Sequence, residues 1–293
     1  MRVSRPTPDW KKRRVFLVDP AIWHRYTRSA KDVRPVYWDL LSVLREWGAG
    51  VEVLGRADAP LDIWIRDWGR TEGVFFNFKP NYAKRCYSRK AVNSAICKLS
   101  ARLPEPLPFR LRTLVLDGGN LVHNGTVAIV TEKVFLDNPR VSPYEIEGVI
   151  LSLGFERVIF IPIEPGDDVG HSDGMCRFVN KRTLLVNDYA SASMASFGRK
   201  LRRVLRAAKL GVEMVTLPWF FRNERIDGVA SAVGCYMNFL QLAQGIVMPS
   251  FANRQDERAR EVVASLVKCP VVSVKATALA RWGGVFNCIS LTV

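Results

Sequence analysis

Histidine is scarce in this chain of 293 residues, present only as His24, His123 and His171. Any chemistry that needs an imidazole therefore has three places to find one. The six cysteines, Cys86, Cys97, Cys176, Cys235, Cys269 and Cys288, show no C-x-x-C spacing, which argues against a zinc site or a thioredoxin-type pair. No apolar run approaches the roughly 18 residues that mark a membrane span. The first 14 residues are polar and basic with no apolar stretch behind them, so no secretory leader is expected, and Asp9 with an early strand at Val15 argues against a transit peptide. Low-complexity tracts and Gly/Ser linkers are missing as well, which leaves no domain boundary. The expectation is one domain over residues 1–293, with 1–14 as a basic N-terminal extension, in a reduced, soluble, cytoplasmic protein without membrane contact.

Acidic residues are also in deficit, 28 Asp+Glu against 43 Lys+Arg, a formal net charge of +15. Such a surplus implies either a solubilising surface or contact with something anionic. Otherwise the composition, 48% hydrophobic and 24% charged, is that of a globular protein able to bury a core.

Helical periodicity is clearest over Val36–Trp47, Arg89–Leu103, Pro143–Leu153, Met194–Leu210 and Gln255–Val267, recurring every 50 to 60 residues or so. Between these stretches lie short β-rich runs bounded by Gly, Pro and Asn, such as Val15–Val18, Gly73–Phe78, Val127–Val130, Thr183–Val186 and Gly245–Met248. Regular alternation of this kind predicts an α/β repeat closed on itself. The competing architecture is an open, doubly wound α/β sheet.

Five motifs follow the five helices at comparable offsets: Trp64-Ile65-Arg66-Asp67-Trp68-Gly69, Asp117-Gly118-Gly119-Asn120, Gly170-His171-Ser172-Asp173, Cys235-Tyr236-Met237-Asn238-Phe239 and Gly283-Gly284-Val285-Phe286-Asn287-Cys288. In a five-fold arrangement equivalent positions face one axis, so Asp67, Asp117, His171, Asp173, Asn238 and Cys288 would converge in one pocket. A thiol beside an imidazole is an arrangement for nucleophilic catalysis, but extra carboxylates raise the thiol pKa and hinder attack on a neutral ester or amide. They would be matched by a cation. A guanidinium is planar, permanently charged and able to donate paired N–H bonds to carboxylates, so Asp67 and Asp173 could clamp it while Cys288 attacks its central carbon.

The series W-I-R-D-x-G, D-G-G-N, G-H-x-D, x-Y-x-N-F and a final G-G-x-x-x-C-x-S, in this order with the cysteine near the chain end, resembles the agmatine deiminase and bacterial-type peptidylarginine deiminase family of guanidino-group-modifying enzymes. The resemblance covers roughly residues 60 to 293. It implies the pentein fold, a five-bladed α/β propeller of ββαβ-type modules around a central active site. It further implies Cys288 as nucleophile, His171 as general acid/base, and Asp67 and Asp173 as guanidinium ligands, with Asn238, Asp117 and Trp64 in the substrate shell. The substrate would be agmatine, free arginine or a peptidyl arginine side chain, and no metal or organic cofactor is required. Two departures stand out: Arg70 replaces the proline usual after the first motif, and Asn287 precedes the cysteine where agmatine deiminases commonly have His.

The same residues would serve an amidinotransferase if an amine rather than water entered the second step. A third reading is a nucleic-acid or assembly-binding protein on an idle pentein scaffold, suggested by two basic clusters. One comprises Arg2, Arg5, Lys11, Lys12, Arg13 and Arg14, and the other Arg199, Lys200, Arg202, Arg203, Arg206 and Lys209.

Overall fold

The structure, a computed structural model, describes residues 5–22, 33–69, 74–80, 87–103, 111–190 and 193–293. Its repeating unit is a helix between two strands that pair parallel. Strands β1 (Arg14–Val18) and β2 (Gly50–Leu54) flank helix α1 (Arg34–Glu46), and β3 (Phe75–Asn77) and β4 (Leu111–Val115) flank α2 (Arg89–Arg102). The third unit is built likewise from β6 (Val127–Thr131), α3 (Pro143–Leu151) and β7 (Arg157–Ile161), preceded by a short β5 (Val122–His123) antiparallel to β6. In the fourth, β8 (Cys176–Asn180) lies antiparallel to β9 (Thr183–Asn187), which leads through α4 (Ala195–Ala207) to β10 (Glu213–Leu217). A small hairpin, β11 (Arg225–Ile226) and β12 (Val229–Ala230), precedes the fifth unit of β13 (Leu240–Leu242), β14 (Gly245–Ser250), α5 (Asp256–Leu266) and β15 (Val271–Lys275).

The first unit takes its antiparallel strand from the other end of the chain. β16 (Ser290–Thr292) pairs with β1 in the register Val15↔Thr292, Phe16↔Leu291, Leu17↔Ser290. That pairing holds the C-terminal segment, and with it Cys288, against the start of the chain. Among the described residues no sheet exceeds three strands, so the open doubly wound sheet is not the architecture.

Local sequence explains the elements. On α1 the buried residues Val36, Tyr37, Leu40, Leu41 and Leu44 fall on one stripe of a 3.6-residue period. Helix α3 begins with Ser142 and Glu145 in reciprocal capping: Ser142 Oγ accepts the Glu145 N–H at 3.3 Å, and Glu145 Oε2 accepts the Ser142 N–H at 2.9 Å. The middle strands β6 and β9 are buried at every position, as expected of strands covered on both faces. All five periodic helices form within a few residues of the expected ends. The short strands β5, β11, β12, β13 and β16 carry too few residues for any periodicity and are decided by their partners. The strand expected over 73–78 begins outside the described residues, as do Arg2, His24, Arg70 and Cys86.

The described part of the basic N-terminal stretch packs against the body. Arg177 donates to Asp9 Oδ2 at 2.7 Å, Thr292 Oγ1 donates to Asp9 Oδ1 at 2.9 Å, and the Lys12 carbonyl accepts the Ala243 N–H at 2.8 Å. No helix among the described residues is long and apolar enough to cross a membrane.

Candidate active site

Each motif occupies the connection from the last strand of one unit to the first strand of the next. Asp67 sits on a one-turn helix (Ile65–Trp68) after β2, Asp117 just after β4, His171 and Asp173 between β7 and β8, Asn238 between β10 and β13, and Cys288 between β15 and β16. Five equivalent chain positions thus supply one site.

The thiol segment is held by side-chain amides. Asn238 Oδ1 accepts the backbone N–H groups of Val285 at 3.1 Å and Cys288 at 3.2 Å, while its Nδ2 donates to Asp173 Oδ2 at 3.1 Å. Asn287 Nδ2 donates to the same carboxylate oxygen at 2.6 Å. Cys288 Sγ stands 4.0 Å from that oxygen. Burial, followed by the nearby charges of Asp173 and Asp67, pushes the Cys288 thiol well above its ordinary range. A Cβ on Gly284 would lie 2.7 Å from Trp64 Cζ3 and 3.1 Å from Cys288 Sγ, so the absence of a side chain there keeps a slot open between indole and thiol.

The imidazole of His171 is 3% exposed. Its Nε2 is 3.0 Å from Asp117 Oδ2, and its Nδ1 is 3.5 Å from Asp67 Oδ1 without a hydrogen-bond partner. Burial alone would lower its pKa, but Asp67 and Asp117 outweigh burial and bring it up to about 9. The ring is therefore imidazolium at neutral pH. Gly119 packs where these groups meet: a Cβ there would be 2.6 Å from His171 Nδ1, 2.8 Å from Asp67 Oδ1 and 3.3 Å from Asp173 Oδ2. Its N–H donates to Asp67 Oδ1 at 3.3 Å.

Cys288, His171, Asp173 and Asn238 line a pocket of ≈ 90 Å³ whose other walls include Trp219, Phe220, Glu164 and Asp167. Two further carboxyls line the same pocket. Glu164 is raised to about 8 by burial and by Asp167, and accepts a hydrogen bond from the Tyr189 hydroxyl. Asp167 is also raised by burial, although its oxygens accept the N–H groups of Val169 and Gly170, each at 2.9 Å. Among the described residues no cluster of three or more His, Cys, Asp or Glu is placed to hold a metal ion, and the five described cysteines are free thiols.

Asp67 stands within reach of the imidazole, and Trp64 lies across Gly284 from the thiol. Asp117, expected in the substrate shell, is instead behind His171, where Lys133 Nζ also donates to it at 2.9 Å. The short side chain of Asp cannot reach both the ring and the pocket. Sequence reasoning missed Lys133, Asn287, Glu164 and Asp167. Asn287 adjoins the cysteine and Asp167 adjoins G-H-x-D, which is a usable signal; nothing marks Lys133 or Glu164 in the sequence.

The sequence profile of the Porphyromonas-type peptidyl-arginine deiminases matches residues 41–293, most of the chain. The chain belongs to that family. Among similar proteins within reach of this peptidyl-arginine deiminase family are the agmatine deiminase of Pseudomonas aeruginosa, 25% identical over 270 residues covering 78% of this chain and 73% of the relative, and that of Ectopseudomonas mendocina, 26% identical over 278 residues, 84% and 73%. Solved structures agree in fold. The agmatine deiminase of C. jejuni superposes with a TM-score of 0.76 at 18% identity over 98% of this chain and 95% of its own. That of Enterococcus faecalis gives 0.76 at 17% over 99% and 95%, and the DDAH from Pseudomonas aeruginosa gives 0.61 at 14% over 97% and 100%. The peptidyl-arginine deiminase family member described above thus has the α/β pentein fold.

Proposed function

We propose that this chain is a guanidine deiminase, hydrolysing a guanidinium group to a ureido product and ammonia through a covalent thiouronium on Cys288. The observation that carries this reading is the pairing of a thiol and an imidazole each with its own carboxylate, Cys288 Sγ with Asp173 at 4.0 Å and His171 Nδ1 with Asp67 at 3.5 Å. Without a cation those charges hold the thiol protonated. A guanidinium bound to Asp67 and Asp173 supplies the missing counter-charge, lowers the thiol pKa and presents its central carbon to the sulfur. The thiol gives up its proton to solvent as the cation binds, and the thiolate attacks to form the C–S bond. The His171 imidazolium gives its proton to one nitrogen of the adduct, which leaves as ammonia. The neutral ring then takes a proton from the water that attacks the thiouronium carbon, and the C–S bond breaks as the remaining hydroxyl proton passes to the sulfur, releasing the neutral ureido product and the resting thiol. Asn238 and Asn287 orient Asp173, and Asp117 orients His171.

The Glu164 and Asp167 wall of the pocket favours a substrate with a second positive charge. Both carboxyls are pushed up chiefly by burial, so the amine of agmatine would return them to carboxylates, a gain that the carboxylate of free arginine does not offer, while Trp219 and Phe220 can cover the methylenes between. The test is ureido-product detection on agmatine, arginine and a blocked arginyl peptide, with and without an added amine. Agmatine should turn over fastest and the amine should leave product yield unchanged. Faster reaction of the peptide would reassign the substrate, and a guanidino product formed from the added amine would make the chain an amidinotransferase.

A second reading concerns the surface of α4. Arg199, Lys200, Arg203 and Arg206 are exposed on a helix with no acidic residue, and like charges at i,i+3 and i,i+4 weaken a helix that has no counter-ion. An anionic partner such as nucleic-acid phosphate would relieve that repulsion. The chain acts as one domain in the cytoplasm, with the enzyme pocket and the basic face independent.

A further inference from the structure

Lys133 opens a short helix (Lys133–Asp137) directly after β6, and its side chain is 4% exposed. A buried ammonium persists only with carboxylate partners, and it has two: Asp117, 2.9 Å from Nζ, and Asp137. The Asp117 oxygen it touches is the same Oδ2 that lies 3.0 Å from His171 Nε2, whereas Asp117 Oδ1 is buried without a hydrogen bond. Two cationic donors therefore converge on one carboxylate oxygen. The lysine stem also supports the histidine loop. Gly170, at φ +72, approaches it so closely that a Cβ would be 3.3 Å from Lys133 Cδ, and Thr131 Oγ1 donates to the Gly170 carbonyl at 2.6 Å.

We propose, resting on the deiminase reading above, that Lys133 is a positioning residue for His171: it fixes Asp117 against Nε2, leaves Nδ1 to serve the pocket, and withholds part of the carboxylate's charge from the ring. Charged and titratable groups surround the imidazole. Asp67 comes from the one-turn helix after β2, Asp117 from the loop after β4, Asp167 and Asp173 from its own loop, and the Cys288 thiol shares the pocket. Each carboxylate favours imidazolium. Lys133 is the cation among these neighbours that opposes them, and it brings the ring's titration closer to neutrality. This matters because His171 must give a proton in the first half-reaction and accept one in the second. A ring held too firmly as imidazolium is a weak acid and slows the first.

Lys133→Met keeps the stem against Gly170 and removes the charge. Histidine-labelled protein titrated by NMR, with the His171 resonance assigned through His171→Ala, should show the His171 midpoint moving alkaline by roughly one pH unit or more, since unit charges a few ångströms apart interact by several kcal/mol at an intermediate dielectric. The pH profile of kcat/KM for agmatine should move with it, kcat should fall more than KM rises, and Lys133→Arg should restore most of both. Should Lys133→Met fail to fold, Asp137→Asn tests the same point with the opposite sign, because Lys133 then engages Asp117 alone and the His171 midpoint should move acid. A midpoint displaced by less than about 0.3 unit in every folded variant overturns the proposal, a change too small for loss of a charge that shares the ring's carboxylate oxygen. An unmoved titration with normal agmatine turnover defeats the role of Lys133 alone. An enzyme inactive on every guanidine defeats the deiminase reading and leaves the NMR titration to decide Lys133.

Discussion

Gly119→Ala is the most discriminating single change to the site. The backbone at Gly119 is not in the left-handed region, so alanine is conformationally permitted and its effect is steric. The new methyl would lie 2.6 Å from His171 Nδ1 and 2.8 Å from Asp67 Oδ1. Non-bonded heavy atoms rest at about 3.5 Å, so the pair must retreat by some 0.7 Å or more. Neither has room to do so freely: His171 is tied to Asp117 at 3.0 Å, and Asp67 Oδ1 accepts the Gly119 N–H at 3.3 Å. Misplacement of reacting groups by about 1 Å costs on the order of a hundredfold in rate. We expect kcat/KM for agmatine to fall by roughly that factor, with KM rising because Asp67 is one of the two proposed guanidinium ligands. Urea unfolding should change far less than activity. The control is Gly148→Ala, inside α3 with nothing within 4 Å of its added Cβ, which should stabilise the protein by about 0.4 to 1 kcal/mol and leave turnover alone. Activity of Gly119→Ala within about threefold of the parent, a loss under 1 kcal/mol in transition-state stabilisation, would mean that His171 and Asp67 do not sit where the chemistry happens.

Cys288→Ala should abolish turnover with the fold intact, and a haloacetamidine should label Cys288 before Cys97 or Cys235. Because Cys288 in the free protein is held protonated, neutral iodoacetamide should react slowly at pH 7, and rapid reaction would contradict the carboxylate arrangement. Asp67→Asn or Asp173→Asn replaces a charge-assisted bond by a neutral one and should cost about 1.5 to 3 kcal/mol, roughly ten- to more than a hundredfold in kcat/KM; full activity in both would defeat the clamp. His171 is raised from 6.5 to about 9, so its contribution to stability is fully present below about pH 6.5 and lost as pH rises through about 9. Urea unfolding between pH 6 and 10 should show that loss in the parent and a flatter dependence in His171→Ala. Reversing Arg202, Arg203 and Arg206 to Glu should remove salt-sensitive binding of a DNA duplex while agmatine turnover stays within a few-fold, since exposed charges are screened beyond about 8 Å at physiological ionic strength. A parallel loss of turnover would mean that the two surfaces are coupled.

The sequence alone determined the repeat, because periodicity is a local property. Leu40, Leu41 and Leu44 on α1, or the apolar run 127–130 of β6, carry the pattern of an amphipathic helix and of a buried strand within a single window. It also determined which residue types recur at the ends of the units, and hence that Asp67, His171, Asp173, Asn238 and Cys288 belong together. Tertiary structure decided what no window of sequence contains. Strand β16 has three residues and acquires its conformation from pairing with β1 across the whole length of the chain, which is what anchors Cys288. Asp117 looked like one more pocket carboxylate; its distance from Lys133 and His171, contributed by two other segments, turns it into the support of the ring. Nothing marks Lys133 in the sequence, since a cation's role depends on which charges surround it and how much water is excluded, and both are set only when distant segments meet.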